Sequence, residues 1–131
     1  MQSLLGITRR PDVIFRHNGH FDITAPVAKA LHLAAGDSVD LLTDGTEYYL
    51  TVAHHASPSA FGRFRAQVRP TSTRLRHHFR GSSVLLCRAI IAATSPGATR
   101  LALPCGLPTS HPDFPHRILI PIITHLNITN K

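Results

Sequence analysis

Two periodicities run along the chain. Val39 and Leu41 alternate with Ser38 and Asp40, and Leu50 and Val52 alternate with Tyr49 and Thr51, the period of two expected of half-buried strands. Asp44-Gly45 between them predicts a hairpin, because both residues accept turn backbone readily. Upstream, Val27, Ala30, Leu31 and Leu33 recur at three-and-four spacing and predict a short helix, with Thr24 as N-cap and Pro26 in its first turn. Gly19 and Gly36 bracket that helix at positions where tight turns call for positive φ. A similar order follows later. Leu85, Leu86, Ala89 and Ile90 mark a helix from Val84 to near Ala93, capped by Ser82 or Ser83 and broken by Ser95-Pro96-Gly97. Leu101 and Leu103 then alternate with Arg100 and Ala102, and residues 118–123 read as a final buried strand.

The order strand, short helix, turn, strand over Gly19 to Leu41 resembles the swapped-hairpin module of AbrB-like and MazE-like bacterial regulators. In that module a glycine ends the first strand, a short helix closes in Leu-x-Leu, here Leu31-His32-Leu33, and Gly-Asp, here Gly36-Asp37, opens the next strand. The resemblance covers residues 12–54. It implies a mainly β chain with two short helices, folded as a small swapped-hairpin-like β-barrel, and a DNA-binding role of regulatory or antitoxin-like type. His20 and Ala28 stand where the family pattern leads one to expect basic residues, and the proline of the helix entrance is displaced to Pro26. These departures touch the DNA-binding positions more than the fold positions.

Residues 63–124 read either as a divergent second copy or as a companion lobe within a single domain spanning 1–131. Val27-Ala28-Lys29-Ala30-Leu31 lies over Leu86-Cys87-Arg88-Ala89-Ile90 with the same apolar and basic pattern. A second copy would close the barrel within one chain, as a monomeric pseudo-dimer; without it, residues 12–54 would pair between two chains of a homodimer. Ser57 to Gly62 is the expected linker, and Pro104 to Pro115 is expected to be a loop able to reach a partner.

Charge separates the two parts. Residues 1–55 hold four basic and six acidic side chains, whereas residues 56–131 hold ten basic ones and only Asp113, within a formal net charge of +7. Such a balance favours anionic partners. The densest run is 63–80, with six arginines and no acid. A strand from about Phe61 to Arg69 would turn Phe64, Ala66 and Val68 inward and set Arg63, Arg65 and Arg69 in a row outside the barrel. With Arg74, Arg76 and Arg80 they are the expected phosphate contacts, since guanidinium forks match phosphate oxygens and phosphate neutralisation releases counterions. Phe79 is expected in the core rather than stacked on a base.

Other chemistries find less support. His17-x-x-His20, His54-His55, His77-His78 and His111-x4-His116 lack a Cys or acidic partner at ligand spacing, so neither metal nor other cofactor is expected. Neither a phosphate-binding glycine loop nor a nucleophile elbow occurs, and the seven acids are scattered, so no enzyme is expected. Asp22, Asp37 or Asp40 could be paired on paper with His17, His20 or His32, although nothing local forces such a pair. Cys87 and Cys105 fit free thiols, and Met1 to Ile7 is too short for a signal peptide's apolar region. The resulting expectation is a cytoplasmic, non-catalytic protein that binds nucleic acid, duplex DNA foremost, and no membrane. Its rival is a protein-interaction or assembly module in which these arginines only solvate the surface.

Overall fold

The computed structural model describes residues 12–53, 64–71 and 78–124. The first part comprises strands β1 (Val13–Arg16) and β2 (His20–Ile23), helix α1 (Ala25–Ala30), and strands β3 (Ser38–Thr43) and β4 (Tyr48–Ala53). The second comprises β5 (Ala66–Pro70), β6 (Phe79–Ser82), helix α2 (Val84–Thr94), β7 (Arg100–Leu103), β8 (Thr109–His111) and β9 (Phe114–Ile122). Among the described residues the chain is therefore mainly β, with two short helices and a single curled antiparallel sheet in the order β7-β1-β2-β6-β5-β3-β4-β9-β8. The sheet curls until residues just past β7 meet β9. Cys105 bridges Ile122, Gly106 N–H donates to the Pro121 carbonyl at 2.8 Å, and Ile123 N–H donates to the Pro104 carbonyl at 2.9 Å.

Neither part completes a sheet alone. β1 of the first part pairs with β7 of the second, and β5 of the second pairs with β3 of the first, while β2–β6 and β4–β9 join the parts directly. The register is also unchanged when the parts trade places. Exchanging Asp22 with Arg80, which face each other across β2–β6, carries the pair Phe21–Gly81 onto Ile23–Phe79. The same exchange carries Val13 onto Val68, both buried, and on the far side passes through the pair Leu50–Ile120.

Inward side chains of both parts fill one core. Val13, Phe15, Phe21, Ile23, Val39 and Leu41 meet Val68, Leu86, Ile90 and Ile120, and burying each such side chain is worth about 1.5–3 kcal/mol before chain entropy is counted. Phe79 joins this core, as expected. Ser83 caps α2 by accepting the Leu86 N–H at 3.0 Å, whereas Thr24, the positional cap of α1, gives its hydroxyl to the Asp12 carbonyl instead. The Pro104 to Pro115 stretch, expected as a loop, contains β8. This strand folds back on β9 and covers the outer face of β3 and β4, where Leu42, Tyr49, Phe114 and Leu119 form a second small core.

Candidate nucleic-acid interface

Along β2, β5 and β6 the alternation that buries Phe21, Val68 and Phe79 turns Arg69 and Arg80 toward solvent. Pairing then aligns these positions across strands: Arg69 faces Arg80, Arg80 faces Asp22, and Asp22 faces Ile14. Beyond them Arg16 faces Arg100 across β1–β7. Like charges directly opposite one another destabilise a sheet, and this face carries two such pairs.

Asp22 offsets part of that repulsion. Its Oδ1 accepts from Arg80 Nε at 2.7 Å and its Oδ2 from Arg16 Nη1 at 2.8 Å, with His78 Nε2 at 3.9 Å. Burial alone would raise this carboxyl, but hydrogen bonds from Arg80 and Arg16, together with their charges, hold it below its ordinary value. In return Asp22 raises Arg80 further by hydrogen bonding and charge, so the guanidinium is permanently cationic. The bond runs through Nε, and the Arg80 side chain remains 55% exposed. Arg69 and Arg100 are exposed and make no ion pair among the described residues.

An open groove of about 810 Å³ follows β5 and β6, lined among others by His20, Gln67, Arg69, Thr71, Arg80 and Ser82. It offers guanidinium, amide and hydroxyl donors on one wall, a set suited to phosphate oxygens. At one end of the groove Thr71 N–H donates to the His78 carbonyl at 2.9 Å.

Of the six expected phosphate contacts, the structure brings Arg69 and Arg80 to this groove. Arg63, Arg74 and Arg76 lie outside the described residues, as do the expected linker, His54, His55 and His77. Arg65 departs from the expected outer row. It precedes β5, is half-buried, and its charge acts on Asp40, which is itself fully buried on the outer face of β3. Burial pushes the Asp40 carboxyl up, opposed by the charges of Arg65 and then Arg117. A lone carboxylate on a covered sheet face attracts the nearest guanidinium groups, and this removes Arg65 from the solvent row. Arg16 and Arg100 were not foreseen, since only the β1–β7 pairing sets them on this face.

A second polar cluster ties the β3–β4 turn to β8. Asp44 Oδ1 accepts from the Thr46 and Glu47 amides, and its Oδ2 accepts from Tyr49 Oη at 3.2 Å and His111 Nε2 at 2.9 Å. Asp113 N–H donates to His111 Nδ1 at 3.0 Å, which places the ring proton on Nε2. Both ring nitrogens are thus engaged in holding the fold. The backbone amides of Glu47 and Thr46 lead in bringing the Asp44 carboxyl down to about 2. Asp22 turns to arginine rather than to His17 or His20, and Asp37 bonds the Ala34 amide at 2.9 Å. Burial pushes the Cys87 thiol up to about 11, which makes it a packed thiol rather than a nucleophile. Among the described residues no group of three or more His, Cys, Asp or Glu is placed to hold a metal ion, and no helix is long and apolar enough to cross a membrane.

Set against protein-family models, curated proteins and solved structures, the chain matches none of them.

Proposed function

We propose that the chain is a non-catalytic nucleic-acid-binding protein, a duplex-DNA regulator or antitoxin-like protein acting in the cytoplasm, that meets the phosphate backbone with the outer face of β5, β6, β2 and β1. The observation that carries this reading is the row of Arg69, Arg80 and Arg16 across β5, β6 and β1, with the single carboxylate of Asp22 between the last two, beside the groove along β5 and β6. Opposed arginines cost stability in the free protein, and an anion laid across them relieves that cost. The resemblance of residues 12–54 to swapped-hairpin regulators points the same way.

The test is fluorescence anisotropy of a random-sequence duplex with the tag-free protein, over about 50 to 200 mM salt. Steeply salt-dependent binding is expected, with R69Q weakening affinity and lowering the logarithmic salt slope by about one. An unchanged slope in R69Q removes Arg69 from the interface. Absence of binding at the low-salt end favours the assembly-module reading, for which Leu107, 84% exposed in the proline-rich connection, is the contact to probe.

A further inference from the structure

The exchange symmetry of the sheet is not matched by its charges. Trading the two parts carries Asp22 onto Arg80, Ile14 onto Arg69 and Arg16 onto Thr71. A face built from two equal halves would show the same cations on both sides of the axis. Here the β5–β6 side has Arg69 and Arg80, where the β1–β2 side has an isoleucine and an aspartate. Arg16 is the β1–β2 side's nearest cation to the axis; like Arg80 it bonds Asp22, but its side chain is 31% exposed against 55% for Arg80. The groove of about 810 Å³ also runs on the β5–β6 side, along Gln67, Arg69 and Thr71.

We infer that the face grips duplex DNA asymmetrically, through the β5–β6 side, so that the recognised site is a single non-palindromic element. This rests on the proposed nucleic-acid function. Palindromic operators mirror proteins whose two-fold relates identical contact residues. In this chain the two-fold relates backbone registers and buried positions but not the outward-facing residues, and exchanging the sides would set Ile14 and Asp22 against the phosphates that Arg69 and Arg80 meet. Arg100, on β7 directly opposite Arg16, makes no ion pair among the described residues and lies away from the groove lining.

The experiment compares R69Q and R100Q with the wild type by anisotropy on one random-sequence duplex across the salt series. Selection of bound sequences from a duplex pool randomised over its central positions accompanies it. Both arginines are exposed and make no ion pair among the described residues, and circular dichroism of each variant confirms an intact fold. The expected result is a several-fold loss in R69Q with a salt slope lower by about one, less than about twofold loss in R100Q, and selected sequences without dyad symmetry. Equal losses in the two variants, or a dyad-symmetric selected motif, would overturn the asymmetric grip while leaving DNA binding standing. Failure of the wild type to bind the duplex even at low salt overturns both.

Discussion

Only 3% of Asp22 is exposed, yet it is held ionised, because Arg80 and Arg16 bond both of its oxygens. Its folded pKa lies below the unfolded value of 3.8, so its contribution to stability is fully present above that value and is lost as pH falls through the folded one. Asp44 behaves in the same sense, over the window from 3.8 down to about 2. Asp40 has the opposite sign: its raised pKa means that acidification relieves a penalty. Acid unfolding is therefore expected to begin below about pH 4, driven by Asp22 and Asp44 and opposed by Asp40. Asp22→Asn is expected to lose about 2 kcal/mol at pH 7, the scale of hydrogen bonds to charged groups, and to flatten the acid limb. Urea unfolding at a series of pH values checks both; an Asp22→Asn protein with wild-type stability and acid limb would show that the two arginines need no partner.

At the scale of elements, two glycines set how closely the pieces approach. Gly81 lies opposite Phe21 across β2–β6, and a Cβ there would come within 2.4 Å of the Phe21 ring. Gly19 combines φ of +102° with a would-be Cβ 2.7 Å from Val84 Cγ2 and 3.0 Å from the Val84 backbone nitrogen, so the β1–β2 turn and the start of α2 can touch only through glycine. Gly81→Ala is expected to cost about 1–3 kcal/mol by overpacking the ring, and Ser83→Ala about 1 kcal/mol by exposing the first turn of α2. Thermal unfolding reads both, and an unchanged midpoint in Gly81→Ala would mean the Phe21 ring moves aside freely. Much at this scale was legible in local pattern. The β3–β4 hairpin follows from its alternation and Asp44-Gly45, and α2 from its apolar stripe. The burial of Asp40 and Thr51 was not legible, because alternation says which residues share a face and not whether another hairpin covers it. Beside them, Arg65 and Arg117 at Asp40 and the Ile118 carbonyl at Thr51 come from just before β5 and from β9, a strand whose own prolines locally disfavour it.

For the whole molecule, the arginine run from 63 to 80 marked the basic side by composition, and Arg69 and Arg80 came from it. The rest of the face depends on pairings between residues far apart in the chain, Arg16 with Arg100 among them, which leave no local trace in the chain. The same long-range pairings decide how the molecule comes apart. Were the two parts independent lobes, each would keep its own strands when the other melted. Instead β1 depends on β7, and β5 depends on β3, so losing either part strips the other of a neighbouring strand. A single cooperative unfolding transition is therefore expected, as for small single domains. The chain offers a clean test, because its two tyrosines, Tyr48 and Tyr49, both lie on β4 and it has no tryptophan. Tyrosine emission thus reports β4 and its seam with β8 and β9, where Tyr49 packs on His111 and Phe114, while helical circular dichroism is dominated by α2, which packs on β1 and β2. Coincident urea midpoints for the two signals are the expected outcome. Two separated midpoints would mean that the strands exchanged between the parts contribute little, and that the parts hold their structure independently despite the shared sheet.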